Sequence, residues 1–85
     1  MTAATKSYLD RVAALGCLIC GQPAQLHHVR EGQGGAQRAQ DWLTVPLCRE
    51  HHTGPEGIHS RRTFYLRHRL DEMDLLAMTI ERMNR

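Results

Sequence analysis

Residues 17 to 59, CLICGQPAQLHHVREGQGGAQRAQDWLTVPLCREHHTGPEGIH, hold all three cysteines and five of the six histidines of the chain. That is more than one metal ion can use. A tetrahedral Zn²⁺ takes four ligands, and Cys17-x-x-Cys20 with Cys48-x-x-His51 supplies a Cys₃His set at ordinary structural spacing. His27, His28, His52 and His59 remain, and the simplest explanation for them is a second site that does chemistry. A chain of 85 residues makes one small domain that buries a modest share of its surface, so a metal staple is what it needs.

An odd cysteine count, arranged in C-x-x-C and C-x-x-H pairs, fits metal binding in a reducing compartment better than a disulfide framework. No apolar run approaches the roughly 20 residues of a membrane span, and no export or lipidation signal is present. The expectation is a cytoplasmic protein with no membrane partner. The formal net charge of +2 is weak evidence for a nucleic-acid partner on its own. Its distribution says more, because HSRRTFYLRHRL (59–70) carries four arginines and no acid, whereas DEMDLLAMTIERMNR (71–85) has four acids against two arginines. A phosphate-facing surface belongs on the first of these segments.

Residues 2–15 read as a helix with Tyr8, Val12 and Leu15 on one stripe, Ser7-x-x-Asp10 as a capping box near its start, and Gly16 as its stop. Its apolar face is expected to pack on the C-terminal helix. The C-x-x-C turn follows, with Gly21 permitting a tight exit. A redox dithiol is the competing interpretation, but no βαβ pattern surrounds it. Residues 25–29 read as a strand, on which His27 and Val29 face one way and Leu26 and His28 the other. The polar stretch 31–40 reads as a loop beside the site; it lacks the Lys-Ser/Thr of a P-loop, and Arg30 and Arg38 are placed to meet a phosphate from it. Residues 43–47 form a second strand with Pro46 at its end or on an edge.

Residues 48–52 begin a helical turn that brings His51 back to the zinc and points His52 elsewhere. Thr53-Gly-Pro-Glu-Gly57 interrupts it, helix resumes from Ile58 to about Leu70, and a last helix runs from about Asp71 to Met83. On that helix Met73, Leu76, Ala77 and Ile80 form the expected core stripe, leaving Leu75 and Met78 either exposed or in a contact with a protein partner or a second copy, as a homodimer.

The combination of C-x-x-C, His27-His28-Val29, Pro46-Leu47-Cys48-x-x-His51-His52 and a later His59 resembles the HNH, or His-Me finger, endonucleases. The tail more loosely resembles phage-type members related to the recombination-enhancement (Ref) nucleases. The resemblance implies an α+β fold: a ββα-metal module over residues 17–70, carrying a structural zinc and flanked by helices 2–15 and 71–83, in one domain covering 1–85. It implies a DNA endonuclease, of phage or prophage type, that hydrolyses phosphodiesters with one divalent cation. Mg²⁺, Mn²⁺, Ni²⁺ and Zn²⁺ are the candidate cations, and the ends left are 5′-phosphate and 3′-hydroxyl.

Carried over by residue, His28 corresponds to the general base and His27, His52 and His59 to ligands of the catalytic cation. Cys17, Cys20, Cys48 and His51 match the structural zinc set. The middle asparagine of the motif, which holds the base in place, is replaced by Asp41 or by Trp42, and a carboxylate suits that task. The last two ligands are usually four apart on one helix, whereas His52 and His59 are seven apart. Either the loop between them re-aims His59, or Glu56 takes its place as an oxygen ligand. Arg61, Arg62 and Arg67 join Arg30 and Arg38 as candidate DNA contacts. The competing readings are a zinc-stabilised nucleic-acid-binding or recruitment module without cleavage, and a purely structural zinc domain that binds protein.

Overall fold

A computed structural model of the chain describes residues 2–30 and 40–85. Most of the loop 31–40, with Arg38, therefore lies outside the described residues. Helix α1 spans Ala3–Ala14 and is capped by Thr2, whose hydroxyl accepts from the Thr5 amide at 3.1 Å. The cap is thus five residues earlier than the Ser7 box. Gly16, at φ 79°, supplies the left-handed residue that ends the helix. Thr5, Leu9 and Val12 are buried, so the inward stripe uses Leu9 where Tyr8 and Leu15 were expected. Tyr8 instead packs its ring on Trp42 at 4.8 Å.

Strands β1 (Gln25–His28) and β2 (Thr44–Leu47) pair antiparallel, with His27 opposite Val45 and His28 opposite Thr44. Pro46 sits within β2 opposite Leu26, and its carbonyl accepts from the Leu18 amide at 3.1 Å. The N and O of one strand residue face the same side, so Pro46 turns its missing N–H away from β1 and costs the ladder nothing. That bond also fastens the C-x-x-C turn to the sheet.

Helix α2 (Arg49–Thr53) follows β2 directly, then α3 (Arg61–His68) and α4 (Glu72–Met83) complete the chain. The third helix starts three residues later than the sequence suggests, because residues 57–60 are spent on a turn closed by Ser60 N–H to the Gly57 carbonyl at 2.8 Å. Asp71 and Asp74 form a reciprocal capping box at the start of α4. The core gathers Leu18, Val29, Val45, Leu47, Ile58, Phe64, Leu75 and Leu76 with the Cys17 and Cys48 side chains.

One expectation for α4 is overturned. Its inward stripe is Glu72, Leu75, Leu76 and Thr79, whereas Met73 and Ile80 are half exposed. Apolar residues lie on more than one face of this helix, so hydrophobicity alone does not fix its rotation. Leu75 is fully buried and Met78 packs against the core, which withdraws both from the partner contact assigned to them. Among the described residues, no helix is long and apolar enough to cross a membrane.

Candidate metal centres and the histidine–aspartate pair

Two groups of ligands form, each taking one of two adjacent histidines of α2. Cys17, Cys20, Cys48 and His51 bring one ligand atom each to within 4.8 Å of one another, and so do His27, His52 and His59. Successive residues of a helix project about 100° apart, which is why the adjacent His51 and His52 serve different groups.

In the first group the His51 Nδ1 lies 3.1 Å from Cys48 Sγ and 3.6 Å from Cys17 Sγ, and Cys20 and Cys48 sulfurs are 3.6 Å apart. Three sulfurs and an imidazole converging without a disulfide form a donor set that could hold a structural zinc. Burial raises the Cys17 thiol, but backbone N–H groups of Cys48, Cys20 and Ile19 outweigh it and bring the pKa down to about 6. Cys20 receives a lowering hydrogen bond from the Gln22 backbone, yet burial and the neighbouring thiols push it above its ordinary value. Thiols this close resist ionising together until a cation's charge is present. His68, the histidine outside the Cys17-to-His59 stretch, lies edge-on to His51 with ring centres 5.4 Å apart.

The second group is built from nitrogen alone. His52 and His59 face each other with Nε2 atoms 2.9 Å apart, while the His52 Nδ1–H donates to Gln25 Oε1 at 2.9 Å. The His52 Nε2 therefore carries a lone pair aimed at its neighbour. His27, buried on the inner side of β1, completes the group with its ring edge-on to both others. Three imidazoles fit a borderline divalent cation and leave coordination positions open, unlike the closed Cys₃His set.

The seven-residue gap between His52 and His59 is bridged by backbone. Ile58 N–H bonds the His51 carbonyl at 2.8 Å and His59 N–H bonds the His52 carbonyl at 3.2 Å, folding the turn back along α2. The loop thus re-aims His59, and Glu56 stands outside the group, 3.8 Å from Arg67. Gly57 permits this approach, since a Cβ there would lie 2.7 Å from the His52 carbonyl oxygen. Gly57→Ala is expected to cost about 1–3 kcal/mol of stability through overpacking. A Co²⁺ titration should show the nitrogen site weakened while zinc in the sulfur site is retained.

Burial lowers the pKa of His27, against the raising influence of Glu72; burial also lowers His52, with His27 and His59 adding to the effect. Both groups are thus neutral in the fold over a range where the unfolded chain binds protons. Their contribution is complete above the ordinary value of 6.5 and is lost as the pH falls from there towards the folded values. The melting temperature without the second cation should accordingly drop between pH 7.5 and 5.5. His52→Gln should shrink that drop, and an unchanged slope would count against the assignment.

His28, on the other side of β1, directs Nε2 to Asp41 Oδ1 at 3.0 Å. A carboxylate only accepts, so in the neutral ring Nε2 carries the proton and the lone pair lies on Nδ1. Asp41 is thus the residue hydrogen-bonded to His28, whereas Trp42 packs on Tyr8. The pair is partly open to solvent, with His28 36% and Asp41 27% exposed.

Of the candidate DNA contacts, Arg30, Arg61, Arg62 and Arg67 are exposed. Arg61 lends Nη2 to Glu72 Oε1 at 2.8 Å. Arg67 turns to the sulfur side, lining a cavity with Glu50, His51, Glu56 and His68. Glu72 was absent from the site expected from sequence, although it is 3% exposed and its Oε2 lies 2.6 Å from His27 Nε2. Its signal was an acid in phase with Leu75, Leu76 and Thr79, the residues that face inward on α4.

A family model described as "Protein of unknown function (DUF968)" matches residues 1–82, nearly the whole chain. The chain belongs to the DUF968 family. No curated protein and no solved structure matches it. The DUF968 match spans both ligand groups and the His28–Asp41 pair, so these features lie within the family's own domain.

Proposed function

We propose that this DUF968 chain is a metal-dependent DNA endonuclease with a ββα-metal site, in which β1, β2 and α2 surround one divalent cation. The observation that carries this reading is the division of labour on β1. Adjacent histidines face opposite sides of the strand, so His27 joins the nitrogen group while His28 meets Asp41.

His27, His52 and His59 would hold the cation, which when bound supplies Lewis acidity for the charge developing on the phosphoryl group and the leaving 3′-oxygen. His28 takes a proton from the attacking water through Nδ1. Asp41 keeps the ring in the tautomer that makes this possible and stabilises the imidazolium that results. Arg61, Arg62 and Arg30 offer guanidinium groups to neighbouring phosphates. The products expected are a 5′-phosphate and a 3′-hydroxyl. The Cys₃His site supplies structure, holding α2 against the sheet.

Supercoiled plasmid incubated with the zinc-loaded protein tests the reading. Nicking and linearisation should require added Mg²⁺, Mn²⁺ or Ni²⁺ and should leave ends that a ligase can reseal. Failure to cut duplex or single-stranded DNA across these cations, with salt-dependent DNA binding retained, would favour the recruitment module. Absence of both cutting and DNA binding would favour a protein-binding zinc domain.

A further inference from the structure

Glu72 stands at the first turn of α4, almost wholly buried, where an apolar residue would continue the inward stripe. A carboxylate is costly in such a place unless its oxygens are satisfied. Among the described residues, contacts reach it from β1, from the Arg30 backbone and from α3. Oε2 lies 2.6 Å from His27 Nε2 on β1, the Arg30 backbone N–H approaches both oxygens at 3.3 and 3.4 Å, and Arg61 Nη2 of α3 lies 2.8 Å from Oε1. The helix N-terminus adds a favourable field. The helix expected from sequence to supply a core stripe and a partner contact therefore reaches the candidate cation site through one side chain.

We propose that Glu72 is the positioning residue of the cation site: it fixes the tautomer of His27 and sets Arg61 beside the ring. A carboxylate accepts only, so the proton of His27 stays on Nε2 and its lone pair stays on Nδ1 for the cation. The negative charge behind the ring raises the donor strength of that nitrogen. The same carboxylate orders Arg61, which is 59% exposed and keeps its other N–H groups for a phosphate. Glu72→Gln cannot do both tasks. Its single oxygen can serve His27 or Arg61, and its NH₂ then faces another donor. The proposal rests on the nitrogen group being a cation site and not on DNA cleavage.

Ring ¹⁵N spectra of the zinc-loaded wild type, with the sulfur site filled, provide the first test. His27 should show the Nε2–H tautomer, and added Zn²⁺ should shift its Nδ1. The Nδ1–H tautomer, or cation binding through Nε2, would overturn the proposal without any variant. The second test is a Co²⁺ titration of Glu72→Gln, carried out after its retained zinc has been shown. Affinity at the nitrogen site should fall by about 10- to 100-fold. Wild-type affinity in Glu72→Gln would overturn the role of Glu72 alone, whereas a wild type that takes no second cation would overturn the cation site and the proposal with it. Should Glu72→Gln fail to fold, the wild-type tautomer decides.

Discussion

His28→Ala is expected to lower the rate of phosphodiester cleavage by about 10²- to 10⁴-fold while leaving the fold and its zinc in place. The side chain is more than one-third exposed and lies outside the buried core, so its removal opens no cavity. It loses one hydrogen bond, to Asp41. Steady-state cleavage, compared at equal zinc content and melting temperature, measures the effect. A variant that cuts at the wild-type rate would place the base elsewhere. Asp41→Asn should retain more activity than Asp41→Ala, because an amide oxygen can still hold the imidazole N–H whereas a methyl group cannot.

Removing the ion of the sulfur site is expected to unfold the domain. Cys17 and Cys48 are part of the buried core, and the 17–20 turn is pinned to β2 by the Leu18 N–H on the Pro46 carbonyl. Structural zinc in small domains contributes an apparent 10–16 kcal/mol or so, comparable with the entire stability of a typical domain at about 5–15 kcal/mol. Without the ion, three sulfurs and an imidazole would remain crowded together with no shared partner. A strong chelator, or Cys48→Ser, should abolish the cooperative melting transition and most of the helical circular dichroism. Stripping only the nitrogen-site cation should leave both intact, since β1, α2 and the 54–60 turn are held by backbone bonds. An unchanged melting curve after loss of zinc would show that packing alone sustains the fold.

The ligand sets were legible in the sequence because they follow from short-range geometry. A C-x-x-H on a helix returns to one ion, a strand separates adjacent histidines, and both patterns survive whatever surrounds them. The α+β organisation, the antiparallel strand pair and the stop at Gly16 were legible for similar reasons. Rotation of α4 was not, because Met73 and Ile80 compete with Leu75 and Thr79 for the inward face, and long-range contact at Glu72 decides between them. His59 was a candidate from sequence, but the route that returns it was equally hidden. It depends on carbonyls of α2 meeting amides across an irregular turn, which no periodicity records. Glu72 was missed because acids at a helix start are ordinarily read as dipole partners. One of its partners, His27, is 45 residues away in the chain.

The most direct measurement is the number of cations bound per folded chain, by native mass spectrometry with Co²⁺ added to the zinc-loaded protein. Two cations are expected for the wild type and for His28→Ala, and one zinc for His52→Ala and His59→Ala. A single cation in the wild type would contradict the separation of a structural and a chemical metal centre.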